Sequence, residues 1–178
     1  MSEDTESVFS SSSSSNISYD EEDGHLKVDA GQAIGSWNLL ERIGIGQFGI
    51  VWTVKEAEDK VLKILRSGDG YKDMFESEIE MLQLLDSKEH IVQLCSHFDY
   101  AQNDSNRVHK VLVMEHMEKD LFTLFHEDKT TVSHATGIKI IRQLLQGVAE
   151  LEEANIVHLD LKPENILLRG DTLKICDF

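Results

Sequence analysis

The run His158-Leu159-Asp160-Leu161-Lys162-Pro163-Glu164-Asn165 sets a carboxylate, an ammonium and an amide within six residues, between two apolar segments. A loop of that make-up can present a proton acceptor, a cation and a metal ligand to one bound molecule. On its own, a solvated charged turn has the same look. The chemistry becomes specific because other groups suited to phosphate lie upstream, in order and at workable spacing.

The first of these is Gly44-x-Gly46-x-x-Gly49. Glycine lets backbone N–H groups approach a phosphate closely. In a dinucleotide-binding βαβ unit the same spacing opens a helix, but Ile50, Val51, Trp52, Thr53 and Val54 follow here and favour a strand. No Gly-Lys-Ser/Thr follows, which excludes the P-loop form of phosphate site. The expected geometry is a β-hairpin turn lying over phosphates. The second group is Lys63, flanked by Val61, Leu62, Ile64 and Leu65. An ammonium inside such an apolar run needs an anion nearby, or its burial is costly. Glu76, Glu78 and Glu80 of the next segment are the candidates.

The elements that must hold these groups follow from periodicity. Residues 37–43, 49–55 and 60–65 read as three strands, and 91–98 and 110–114 as two more. Phe75, Ile79, Leu82 and Leu85 recur at helical spacing over about 73–85. The pattern then turns helical: a short helix over 120–125, and a long one N-capped by Ser133 with Ile138, Ile141, Leu144, Leu145, Val148 and Leu151 as its apolar stripe. A hairpin of 166–168 and 173–175, turning at Arg169-Gly-Asp171, closes the chain at Cys176-Asp177-Phe178.

Composition bounds the class. Of 178 residues, 40% are apolar and 28% charged, as in a soluble globular protein long enough to build a core. No apolar run is long enough to span a bilayer, and the N-terminus lacks a signal-peptide pattern. An intracellular location, cytoplasmic or nuclear, is therefore expected, with Cys95 and Cys176 as free thiols. The net charge of −16 argues against nucleic acid as a ligand. Eight acidic side chains against Lys27 give −7 for residues 1–30 and leave −9 for the rest. With Ser10 to Ser15 consecutive and little apolar surface, residues 1–35 are expected to form a disordered acidic, serine-rich tail. The eight histidines show no metal-ligand spacing, so no zinc site is assigned.

Taken together, residues from about 36 onward resemble the eukaryotic protein-kinase family. Gly44-x-Gly-x-Phe-Gly-x-Val51 is similar to its glycine-rich loop and Lys63 to its strand lysine. The run His158 to Asn165 is similar to its catalytic loop, and Asp177-Phe178 to the start of Asp-Phe-Gly. The resemblance implies an α+β fold: a five-stranded antiparallel N-lobe with one regulatory helix over 36–117, then the beginning of a helical C-lobe over 118–178. It implies ATP and Mg²⁺ as cofactors and a protein substrate phosphorylated on Ser or Thr, the latter from Lys162-Pro-Glu-Asn165. Glu78, in the run Glu78-Ile-Glu-Met-Leu82, becomes the partner of Lys63, which reaches the α and β phosphates. Asp160 would accept or orient the substrate hydroxyl, Lys162 would steady the γ-phosphate, and Asn165 and Asp177 would hold the metal. For ATP binding the resemblance implies Ile43, Gly44, Gly46, Gln47, Phe48 and Gly49 of the glycine-rich segment. Val51, Val61 and Leu167 would lie around the adenine, Met114 as gatekeeper, and the backbone of Glu115 and Met117 along the adenine edge. Leu82, Leu94, His158 and Phe178 would stack as the regulatory spine.

The run Met114 to Leu121 is similar to the branch holding cyclin-dependent, MAP and SR-protein kinases. Lys63-Ile-Leu-Arg-Ser, Tyr71 and 140–147 look most like its SR-protein and dual-specificity members, while His158 to Asn165 also resembles myosin-light-chain and death-associated kinases. Three departures stand out. Leu159 replaces an Arg that grips an activation-loop phosphate, so activity is expected not to depend on that phosphate. Val61 stands where the family usually has Ala. The chain ends at Phe178, before the activation segment, so it is expected to be a partial domain exposing the apolar face of the long helix. The alternative function is a non-catalytic fragment that binds nucleotide or a partner. Oligomeric state has no signature in the sequence.

Overall fold

The computed structural model describes residues 24–68, 70–101, 107–127 and 132–178. Its main element is a six-stranded antiparallel sheet in the order β1-β2-β3-β4-β6-β5. The strands are β1 (Ala33–Ile34), β2 (Trp37–Ile45), β3 (Gly49–Val54), β4 (Lys60–Leu65), β5 (Leu94–Ala101) and β6 (Val108–Glu115). The five expected strands are β2 to β6; β1 adds a two-residue edge, with Ile34 opposite Trp37.

Alternation along β4 decides what each sheet face carries. Leu62 and Ile64 join Leu39, Ile50, Trp52, Val54, Val111 and Val113 in a core on one face. Val61 and Leu65 face the other way, towards Phe75, Ile79 and Leu82 of helix α1 (Lys72–Leu84). Lys63 shares that second face by the same alternation, which aims it at α1.

Order begins earlier than residue 36, which corrects the expected tail boundary for residues 24–35. Leu26 and Ile34 are buried in the first core. The acidic, serine-rich run that precedes the stretch dominates the composition and concealed two apolar residues placed to cover the sheet. Residues 1–23, with the serine run, lie outside the described residues.

The run at Ile91 is also used differently from expectation. Ile91 forms a parallel bridge with Ile175, Val92 N–H donates to Ile175 O (3.0 Å), and Ile175 N–H donates to His90 O (2.8 Å). Residues 90–92 thus stitch the sheet to a second, three-stranded one made of β7 (Lys119–Asp120), β8 (Ile166–Arg169) and β9 (Thr172–Ile175). The short helix expected over 120–125 begins one residue later, after β7: residues 121–122 are α-helical and Thr123–Glu127 continues as a π-helix. Asp120 Oδ1 takes the Thr123 N–H at 2.6 Å, a side-chain cap at the start of that helix.

Helix α2 (His134–Glu153) is capped by Ser133, whose Oγ accepts the Thr136 N–H at 3.1 Å. Leu144 and Leu151 of its stripe pack with Leu85, Ile91 and Ile175. A Cβ on Gly147 would lie 2.8 Å from Ile175 Cδ1 and 3.1 Å from His90 Cβ, so glycine permits this close packing. The rest of the stripe, Ile138, Ile141, Leu145 and Val148, is exposed, as expected. Among the described residues, no helix is long and apolar enough to cross a membrane.

Candidate active site

The site lies where three elements converge: β4, α1 and the segment that follows β9. Lys63 Nζ is 2.8 Å from Glu78 Oε1 and 2.7 Å from Asp177 Oδ1. Lys63 and Glu78 side chains are each only 13% exposed, so the pair is shielded from water and from salt. Burial alone would depress the lysine's pKa, but the carboxylates of Glu78 and Asp177 outweigh it and hold the ammonium above its ordinary value. Helical spacing selects Glu78 among the three candidates: it lies three residues after buried Phe75 and four before buried Leu82, whereas Glu76 and Glu80 are exposed.

The loop after α2 forms a second cluster. Lys162 Nζ donates to Asp160 Oδ2 at 2.7 Å, and Asn165 Nδ2 donates to Asp160 O at 2.9 Å and to Oδ2 at 3.2 Å. The hydrogen bond from Lys162, with a further one from Asn165, holds the Asp160 carboxyl below its usual range. Asp160 is exposed while Asn165 is buried, so the acceptor faces solvent on a fixed base. Cys176 joins the two clusters: its N–H donates to Asn165 O at 3.0 Å, and its carbonyl lies 2.9 Å from His158 Nε2. Asp177 follows directly.

Two residues of this region adopt left-handed backbone without being glycine, Leu159 (φ 55°) and Asp177 (φ 59°). Such conformations cost of order 1–3 kcal/mol each and persist where the surroundings impose them. At Asp177 the carboxylate is turned onto Lys63. At Leu159 the side chain is turned out, 93% exposed.

The glycine-rich turn is a hairpin between β2 and β3, with Gly44 opposite Val51 and Ile45 opposite Ile50. Gly46 N–H donates to Gly49 O at 2.9 Å. Ile43 on β2 and Phe48 on the turn are exposed apolar side chains, with Gln47 exposed between Gly46 and Phe48. Arg66 fixes the tip from below, its N–H donating to Phe48 O and its Nη1 to Gln47 O, both at 3.0 Å. Behind the turn, Val61, Met114 and Met117 are buried in one cluster with Val51 and Leu167 packed against it. Val61 lies opposite Met114 in the sheet, and Lys60 opposite Glu115. Leu82, Leu94 and Phe178 belong to that same cluster, and the His158 and Phe178 rings sit 5.2 Å apart.

Sequence reasoning missed Lys174. Its Nζ is 2.6 Å from Glu115 Oε1, and both side chains are largely buried. The clue was present in Leu173-Lys-Ile175: a lysine in an apolar strand, the feature that marked Lys63.

Comparison with known proteins identifies the family. A family model described as protein kinase domain matches residues 37–178. The chain is 33% identical to cyclin-dependent kinase 20 of Homo sapiens over 147 residues, 79% of this chain and 41% of that one. It is 34% identical to Serine/threonine-protein kinase AFC3 of Arabidopsis thaliana over 171 residues, 89% of this chain and 40% of that one. To Serine/threonine-protein kinase prpf4B of Dictyostelium discoideum it is 29% identical over 174 residues, 90% of this chain and 21% of that one. The chain therefore spans less than half the length of these relatives. A match that runs from β2 to Phe178 and takes in every cluster described above makes the chain a member of the eukaryotic protein-kinase family.

Proposed function

We propose that this chain carries the nucleotide-handling part of an ATP-dependent Ser/Thr protein kinase. The observation that supports this most is the double ion pair of Lys63 with Glu78 and Asp177, beside the Asp160–Lys162–Asn165 cluster. A cation fixed between two carboxylates, under a glycine turn, is placed to meet phosphate oxygens.

In this reading the backbone of Gly44, Gly46 and Gly49 covers the phosphates, and Ile43, Gln47 and Phe48 of the same segment complete the ATP contacts. Lys63, oriented by Glu78, contacts the α and β phosphates and Lys162 the γ-phosphate. Asp160 accepts or orients the hydroxyl of a Ser or Thr in the protein substrate, and its low pKa keeps it ionised for that task. The adenine lies between Val51, Val61 and Leu167, with Met114 behind it and the backbone of Glu115 and Met117 along its edge. Asn165 and Asp177 suit Mg²⁺, since both offer hard oxygen donors. Asn165 spends its NH₂ on Asp160, which turns its Oδ1 to the opposite side as a potential ligand. When bound, the metal neutralises charge that develops on the phosphate oxygens. An intracellular location fits the two unpaired thiols.

The test is incubation of the protein, expressed from its native transcript, with MgATP and separate Ser/Thr and Tyr peptide libraries. Phosphate transferred to Ser and Thr peptides is the expected result. Transfer to Tyr peptides alone, or to none, would overturn the reading.

A further inference from the structure

Helix α1 brings Glu78 to Lys63 and packs on the sheet through Phe75, Ile79 and Leu82, but its N-terminus lacks a side-chain cap. The N-cap position is Tyr71, which makes no side-chain capping bond. The N-terminal end of α1 is therefore fixed by the connector from β4, residues 66–68 and 70–71. That connector is held from two sides. Arg66 bonds the glycine turn through Phe48 O and Gln47 O, and its guanidinium lies 5.0 Å over the Tyr71 ring. On the other side, Ser67 N–H donates to Gly24 O at 2.7 Å and Ser67 Oγ to the same oxygen at 3.3 Å.

The Gly24 contact is built to close tolerance. Gly24 has φ 74°, and a Cβ there would stand 2.4 Å from Ser67 O, a backbone atom that has no freedom to swing aside. Two residues on, Leu26 is buried in the core beneath β2, β3 and β4. Ile34 then pins the segment to the sheet edge by pairing with Trp37. Residues 24–34 thus run as a strap from the sheet edge to the connector. From Ser67 the path continues through the Tyr71 N–H to Gly68 O bond (3.1 Å) and the Tyr71–Phe75 ring stack into α1.

We infer that the strap of residues 24–34, latched by Gly24 on Ser67, is a positioning device for α1 that sets the Lys63–Glu78 pair. The inference rests on the proposed role of that pair in nucleotide binding. It assigns to the segment just after the acidic serine-rich stretch a task in the reaction, with Gly24 and Ser67 as positioning residues.

The test compares Gly24→Ala with Gly31→Ala in the full-length chain. Gly31 is also left-handed (φ 87°), but a Cβ there meets nothing within 4 Å, so it controls for backbone strain alone. Amide hydrogen exchange over 72–84 and the affinity for MgADP are read in each variant, alone and with Glu78→Gln. Gly24→Ala should speed exchange over 72–84 about tenfold and weaken MgADP about fivefold, with no further weakening in the Glu78→Gln background. Gly31→Ala should do neither. Unchanged exchange over 72–84 in Gly24→Ala, or losses that multiply in the double variant, would overturn the strap. Faster exchange together with a Glu78→Gln variant of undiminished affinity would keep the strap and instead remove the pair from nucleotide binding. If Gly24→Ala does not fold, Ser67→Ala takes its place, with about twofold faster exchange over 72–84 expected and unchanged exchange overturning the inference.

Discussion

Lys174 Nζ stands 2.6 Å from Glu115 Oε1, joining β9 of the small sheet to the end of β6 in the large one. The same Glu115 oxygen takes the Gln93 N–H at 2.7 Å, and Lys174 also reaches Ile91 O at 3.3 Å. One ion pair thus ties three segments at the junction between the two sheets. Both partners are largely buried, so removing one leaves an unpaired charge, which is more costly than replacing both. Lys174→Met should destabilise by about 2 kcal/mol, lowering Tm by roughly 5 °C. Adding Glu115→Gln should recover part of the loss. A Tm that Lys174→Met leaves unmoved in thermal unfolding would show that the junction does not depend on this pair.

The glycine turn offers a contrast between two glycines. A Cβ on Gly49 would stand 2.5 Å from Ile64 O, whereas one on Gly46 meets nothing within 4 Å. Overpacking against fixed backbone costs about 1–3 kcal/mol. Gly49→Ala should therefore lower the denaturant midpoint clearly, and Gly46→Ala should change it little. Equal midpoints would contradict the close packing of β3 on β4.

The two thiols should separate by burial. Cys176 is buried, and desolvation, reinforced by Asp177, pushes its thiol well above the ordinary range. Cys95 is exposed, although partial burial also raises its pKa. Iodoacetamide at neutral pH should label Cys95 in the native protein, slowly, and Cys176 only after denaturation. Native labelling of Cys176, read by mass spectrometry, would contradict its packing beside Asn165.

Much of this arrangement was legible in the residues. Lys63 in an apolar strand demanded an anion, and Glu78 supplies it. Alternation and helical spacing located β4 and α1 to within a residue. What stayed hidden depended on partners far apart in sequence. Ile91 and Val92 carry the composition of a strand, yet their partner is Ile175 rather than the neighbouring β6. Leu26 and Ile34 went unnoticed beside the acidic run that precedes them, because a composition average does not register two well-placed side chains. The left-handed backbone at Leu159 and Asp177 had no glycine to announce it; packing of the surrounding loop imposes it.

The proposed chemistry carries a pH signature. Hydrogen bonding by Lys162 lowers the Asp160 pKa, so the acceptor form is complete at neutral pH and lost only below the ordinary carboxylate range. Lys162→Met removes that bond, and the Asp160 pKa should rise. The acid limb of the kcat/KM profile should therefore move to higher pH. An acid limb that stays in place would mean that Asp160 is not the group whose ionisation it reports.

The most direct measurement compares the wild-type protein with Asp160→Asn, both expressed from the native transcript. Phosphoryl transfer to a Ser/Thr peptide and affinity for MgATP are measured side by side. Asp160 touches Lys162 and Asn165 but not Lys63 or Glu78, so binding should persist while turnover falls about a hundredfold or more. Turnover undiminished in Asp160→Asn would remove Asp160 from the reaction and contradict the account.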